Sequence, residues 1–177
     1  TASTQRLNIL VEKLLDYNLL LQQAQPKIIE SNANELVTAC LEDYALAIQD
    51  REVDVNISSP LVHVDEELFR RILDNLVSNA VAHGAVGRPI NINLYNENNN
   101  LVLDVANRGK RIAPESVQTL FEPFIRGTEP RNDNVIGTGL GLSIVADCAR
   151  LMHGDVKVVD VDYADVCFRV TIPQQEN

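Results

Sequence analysis

Leu73, Leu76, Val77, Ala80 and Val81 recur at three- and four-residue steps within LDNLVSNAVAHG, residues 73–84. That is the spacing of an apolar stripe along an α-helix. The stripe needs a surface to pack on, so this segment commits the chain to a core. Asn75 and Asn79 interrupt the segment four residues apart. Their amides therefore share a face of the helix, one turn above the other. Asparagine is a mediocre helix former, so the pair points to a task other than holding the helix together.

Shorter patterned segments surround this helix, which is expected over 66–83 with an acidic first turn at Asp65, Glu66 and Glu67. PKIIES reads as a short strand, residues 34–49 as a helix and VDVNIS as an alternating strand. INLYNENNNLVLDVAN reads as two strands joined by a turn at Asn98, Asn99 and Asn100, residues that accept left-handed geometry. Residues 122–138 read as a polar loop and 139–152 as a helix. DVKVVDV and DVCFRVTI form a closing hairpin. Strands and helices do not alternate strictly. The order favours an α/β sandwich, a mixed sheet with helices on one face, over a doubly wound parallel sheet.

Before this region Leu7, Leu14 and Leu21 fall at seven-residue steps, with Leu10 and Tyr17 at the second heptad position. One long helix with a bundle seam is expected there, ended by Pro26. The chain thus divides into residues 1–25 and 26–177.

A formal net charge of −10 over 177 residues disfavours a general nucleic-acid binder. It leaves room for a nucleotide site, where glycines, a few cations and a metal hold phosphates locally. Cys40, Cys148 and Cys167 show no metal spacing and read as reduced core thiols. No apolar run reaches the roughly 18 residues that span a membrane.

In VIGTGLGLSIV, Gly137, Gly139 and Gly141 precede a helix, which would offer free backbone N–H groups to an anion. No Lys-Ser/Thr follows as in a Walker loop. Leu142 stands at the third glycine position of a dinucleotide fingerprint, and the HRD and DFG triplets are absent.

The ordered succession of Asn75 and Asn79, VANRGKRIAPE, FEPFIRG and GTGLGL resembles the N, G1, F and G2 boxes of the histidine-kinase catalytic domain. That domain belongs to the ATPase superfamily shared with gyrase, heat-shock protein 90 and MutL. The resemblance covers residues 27–173 and implies a Bergerat-type ATP-binding fold. VEKLLDYN is similar to the second helix of the dimerisation and phosphotransfer bundle that precedes such domains. LLDYN, FEPF, GLGLSI and DVCFRV resemble enterobacterial sensor kinases in particular.

The resemblance implies roles residue by residue. Asn79 would ligate the Mg²⁺ that bridges the ATP phosphates, a hard neutral oxygen suited to that ion. Asn75 stands where ATP-hydrolysing relatives carry a glutamate, and an amide cannot take a proton from water. His83 would lie near the phosphates, or else is simply a solvated helix-end histidine. Asn107, Gly109 and Ile112 would frame the adenine. Gly137, Thr138, Gly139, Leu140, Gly141 and Leu142 would wrap the phosphates. Arg126, within the F box, would meet the γ-phosphate from the lid, with Arg131 the weaker candidate for the same contact. Phe121 and Phe124 would anchor the lid to the core.

The G1 segment departs from the family's D-x-G-x-G. Asn107 replaces the aspartate that accepts from the adenine amino group, and Arg111 replaces the second glycine. Arg111 either crowds the loop or reaches a phosphate. Cys167 stands where Thr or Ser is common beside the adenine.

His63, His83 and His153 all lack the H-E/D-x-x-T/N-P setting of a phosphoacceptor. The expected protein is therefore the catalytic part of a two-component sensor kinase. It would pass the ATP γ-phosphate to a histidine on its own bundle helix, outside this chain, and thence to a response regulator. The expected setting is the cytoplasmic side of an inner-membrane homodimer. Two other readings compete: a docking module that the altered G1 loop has left poor in nucleotide, and a gyrase-type ATP hydrolase, against which Asn75 argues.

Overall fold

The structure is a computed structural model that describes residues 25–122 and 141–174, together with Thr4, Leu7 and Val11. The helix expected before Pro26 otherwise lies outside these residues. Seven strands and four helices follow in the order β1 (Ile29–Asn32), α1 (Ala33–Asp43), β2 (Val53–Ile57), β3 (Leu61–Val64), α2 (Glu66–His83), β4 (Ile90–Glu97), β5 (Asn100–Asn107), α3 (Pro114–Val117), α4 (Gly141–Leu151), β6 (Asp155–Val159) and β7 (Val166–Pro173).

Five strands form one mixed sheet in the order β2-β4-β5-β7-β6, with β2 parallel to β4 and the other pairs antiparallel. β1 and β3 pair separately as an antiparallel ribbon. Helices α1, α2 and α4 cover one face of the large sheet, as the mixed order of elements predicts.

α2 owes its position to both ends of its sequence pattern. Asp65 caps it, accepting from the Leu68 N–H at 3.0 Å, and Glu66 and Glu67 sit in the first turn where the helix dipole favours them. The other Asp65 oxygen accepts from the Lys27 N–H at 2.8 Å. Leu68, Phe69, Ile72, Leu73, Leu76, Val77 and Ala80 are buried at helical spacing. Each large side chain fully buried there contributes about 1.5–3 kcal/mol.

α1 is capped by Asn32 and ends at Asp43, six residues before the end its apolar pattern suggests. The chain tightens there through i→i−3 bonds from Tyr44 N to Leu41 O and from Ala45 N to Glu42 O. The Tyr44 hydroxyl donates to Asp74 O on α2 at 3.2 Å, and Arg70 bridges Asp74 and Asp43. These ties to α2 turn the chain toward β2 and leave Leu46 exposed.

β4 and β5 are joined by a two-residue turn in which Asn98 and Asn99 have φ of 52° and 62°. Two left-handed residues match the twist of a tight hairpin. Asn100 is already in the strand. At the end of α4, His153 takes the left-handed conformation with φ 65°. Gly154 follows because any Cβ there would collide with the Thr171 carbonyl. All three cysteines are buried and free, as the sequence suggests.

On the far face of the sheet, Ala106, Ala164 and Cys167 form a small second cluster with Tyr163 against it. A shallow groove of about 440 Å³ lies beside it, lined by Asn56, Asn93, Tyr95 and the Asp104–Arg169 pair.

Candidate functional site

Three segments meet at the C-terminal half of α2, and each is held there by a local reason. The first is α2 itself. Asn75 is buried and donates its amide N–H to Arg71 O at 2.7 Å, one turn back on its own helix. Asn79, one turn on, is half-buried, and its side chain makes no hydrogen bond with the described residues. The two amides therefore differ. Asn75 is fastened, and Asn79 is left available. His83 closes the helix at the surface. Crowding on its inner side lowers its pKa below the ordinary imidazole value, because burial disfavours the charged ring.

The second segment is the start of α4. A Cβ on Gly141 would lie 3.1 Å from Asn75 Oδ1, so the absence of a side chain lets this helix start against the Asn75 amide. Leu142 packs onto the core beside it. Gly137, Thr138, Gly139, Leu140 and Arg126 lie outside the described residues, as do Phe124 and Arg131.

The third is the loop after β5. Gly84, which ends α2, pairs across to Gly109, and the Ala85 N–H donates to Arg108 O at 2.7 Å. Neither glycine admits a side chain. A Cβ on Gly109 would lie 2.6 Å from His83 O, and one on Gly84 would collide with Ala80 O. Asn107 stands at the end of β5, 2% exposed, and its amide nitrogen has no partner among the described residues. A buried donor left unpaired is costly unless a ligand or water completes it. Ile112 packs onto the core beyond the loop. Phe121 meets Phe168 edge-on at 6.2 Å, anchoring the segment that leads toward residue 123.

Two residues that carry this loop have no counterpart in the motif reading. Asp165 accepts from the Gly109 N–H at 3.0 Å and stands 3.7 Å from Arg111 Nε, while its own N–H donates to Asn107 O at 3.1 Å. Arg111 therefore lies against Asp165 and is largely exposed. Arg51, just before β2, places its guanidinium in the interior beside Gly84. Its Nε and Nη1 are buried without a hydrogen bond among the described residues, and Nε makes only a long 3.6 Å ion pair with Asp50. Its signal in the sequence is only one basic residue in QDREV.

Cys167 is a correction. Its neighbours Val166 and Phe168 join the core under the helices, whereas Cys167 belongs to the small cluster on the far face. Strand alternation turns it away from Asn107.

A family model described as "Histidine kinase-, DNA gyrase B-, and HSP90-like ATPase" matches residues 64–176. The sensor histidine kinase GlrK of Escherichia coli is 34% identical over 99% of this chain, which spans 38% of GlrK's length. Full-length ShkA, solved in complex with AMPPNP, superposes with a TM-score of 0.80 at 24% identity, covering 99% of this chain and 37% of ShkA. Histidine kinase ThkA, solved with the response regulator protein TrrA, gives 0.74 at 22% identity, covering 98% of this chain and 48% of that one. Both structural likenesses establish the fold.

Proposed function

The chain belongs to the histidine kinase-, DNA gyrase B- and HSP90-like ATPase family, and from that premise we propose that it is the ATP-binding catalytic domain of a two-component sensor histidine kinase. The observation that carries this reading is the meeting of the asparagine helix with both glycine segments, at Asn75–Gly141 and at Gly84–Gly109. Among the described residues that junction leaves the Asn79 amide and the Asn107 amide nitrogen without a hydrogen bond, and the reading assigns Asn107 to the base and Asn79 to the phosphates.

Asn79 fits a magnesium ion. Its oxygen is hard and neutral, and Mg²⁺ keeps most of its waters and takes few protein ligands. Among the described residues no cluster of three or more acidic, histidine or cysteine side chains competes for a metal. When bound, the ion neutralises phosphate charge. The chain's own residues do the rest. Asn107 receives the base. The first turn of α4 offers backbone N–H groups to phosphate oxygens. His83, held neutral, donates one hydrogen bond. Arg126 adds a charge-assisted bond from the lid. Asn75 packs against Gly141 and cannot deprotonate water, so ATP is preserved for transfer. Catalysis is then positioning and charge neutralisation for in-line attack by a histidine outside this chain.

In the whole protein residues 1–25 would form part of the dimerisation bundle. The phosphoacceptor helix, a homodimeric partner and a response regulator complete the reaction. Membership of a membrane sensor, with this domain on the cytoplasmic side of the inner membrane, follows from the same reading. Among the described residues no helix is long and apolar enough to cross a membrane. The exposed position of Arg111 against Asp165 supports the nucleotide-binding reading over a docking module with a spoiled G1 loop.

Calorimetric titration with ATP, with and without Mg²⁺, tests the proposal. Mg²⁺-dependent binding that falls at least about tenfold in Asn79→Ala is expected. Absence of binding by the unmutated chain would overturn it and leave the docking module.

A further inference from the structure

The base end of the site carries an amide where the family resemblance leads one to expect a carboxylate. The chemical difference is large. A carboxylate only accepts hydrogen bonds, whereas an amide offers both an acceptor oxygen and two donor hydrogens. Adenine and guanine differ at the same ring position, where adenine presents an amino donor and guanine a carbonyl acceptor. An aspartate at this point therefore selects adenine and repels guanine. Asn107 reads either, because rotating the amide by half a turn exchanges its donor and acceptor ends.

The surroundings favour the donor end. The Asn107 nitrogen is buried and unpartnered, and no side chain of the described residues holds it in one orientation. Behind it, beside Gly84, lie the buried Nε and Nη1 of Arg51, neither hydrogen-bonded among the described residues. The only ion pair of that guanidinium among the described residues is the long contact to Asp50. Three unsatisfied donors, two of them on one buried cation, therefore border this corner. Such a field stabilises an acceptor edge of a base more than a donor edge.

We infer that this site accepts guanine as well as adenine nucleotides, with Asn107 as the residue that sets the tolerance. The inference rests on the nucleotide-binding reading above and adds the base preference to it.

The test is calorimetric titration of the whole 177-residue chain with Mg-ATP and with Mg-GTP, repeated on Asn107→Asp. The unmutated chain is expected to bind the two within about tenfold of each other. Asn107→Asp should shift the ratio toward ATP by at least about tenfold, the scale of one well-placed base contact. An ATP preference above tenfold in the unmutated chain overturns the inference while leaving the nucleotide reading intact. An unshifted ratio in a folded Asn107→Asp chain overturns the assignment to Asn107. If neither nucleotide binds the unmutated chain, the nucleotide reading and this inference fall together. Thermal unfolding establishes that the variant is folded; if it is not, the ratio in the unmutated chain decides alone.

Discussion

Replacing Gly109 with alanine adds one carbon atom at the point where the asparagine helix meets the loop after β5. The new Cβ would lie 2.6 Å from His83 O and 3.3 Å from the Ala85 nitrogen. Carbon and oxygen ordinarily approach to about 3.3–3.6 Å, so one side must retreat by roughly 0.7 Å or more. The backbone at Gly109 is not left-handed, since Gly87 is the glycine with positive φ among the described residues. The cost is therefore steric. Overpacking of this size costs about 1–3 kcal/mol. If the loop yields instead, the Ala85–Arg108 and Gly109–Asp165 hydrogen bonds lengthen, at about 1 kcal/mol each. Either route gives about 2 kcal/mol, a drop in Tm of roughly 4–8 °C for a chain of this size. Asn107 shares Asp165 with the loop and moves with it, so Mg-ATP affinity should fall on the order of tenfold or more. Gly87→Ala is the control. Nothing lies within 4 Å of its Cβ position, but its φ of +77° carries a strain of about 1–2 kcal/mol. Its melting temperature should fall while its affinity stays. Scanning calorimetry and nucleotide titration of both variants decide the matter. A Gly109→Ala chain that melts and binds like the unmutated one would refute the reasoning, as would an equal loss of affinity in Gly87→Ala.

Asp104 is 3% exposed and holds Arg169 through two bonds of 2.8 and 2.9 Å on the far face of the sheet. Arg169 is 30% exposed, so Asp104→Ala should cost about 2 kcal/mol, below the range for a fully buried pair, with nucleotide affinity unchanged; urea midpoints at constant m-value measure it. His83 titrates below its unfolded pKa, so the unfolded chain binds the extra proton first. The stability it contributes is complete above about pH 6.5 and declines as pH falls toward the folded pKa. His83→Gln should flatten the loss of stability between pH 7.5 and 5.5, modestly because the ring is partly solvated, and an unchanged slope would remove His83 as its source. Burial pushes the Cys40, Cys148 and Cys167 thiols up to about 12. At pH 8 about one thiol in ten thousand is ionised, so a thiol reagent should label the native chain only as fast as it opens, and the unfolded chain at three sites. Prompt native labelling would contradict the burial.

The fold is legible where the chain states its periodicity locally. Residues 66–83 show the stripe, the acidic first turn and the capping Asp65, and the helix occupies that span. The Asn-rich turn is equally local, since few residues other than asparagine take two successive left-handed positions without glycine. The end of α1 is not legible. Its pattern runs on through Ala45 and Ile48, and the helix stops because Tyr44 and Asp43 are tied to α2, contacts distant in sequence. The site divides in the same way. Asn75, Asn79, Asn107 and the glycines are visible because they repeat an ordered succession. Asp165 and Arg51 are not, because each acts through a loop that only the tertiary structure brings to Gly109 and Gly84. Cys167 misleads for a related reason. Its position in a motif says nothing of which face of the strand it takes, and that depends on the pairing of β5 with β7.

Gln174 lies just past β7, buried, and its amide treats His63 as a neighbouring strand would. The His63 N–H donates to Oε1 at 2.7 Å, and Nε2 donates to His63 O at 3.1 Å. Its backbone exchanges bonds with Asn99 at the β4–β5 turn. One side chain thus acts as a one-residue strand, stitching the β1–β3 ribbon to the large sheet. The stitch adds to the hold of Val62 and Val64, which bury the ribbon in the main core. Joined by this stitch, the ribbon opens only when the last strand of the domain opens. Early and late portions of the polypeptide then belong to a single cooperative unit of unfolding.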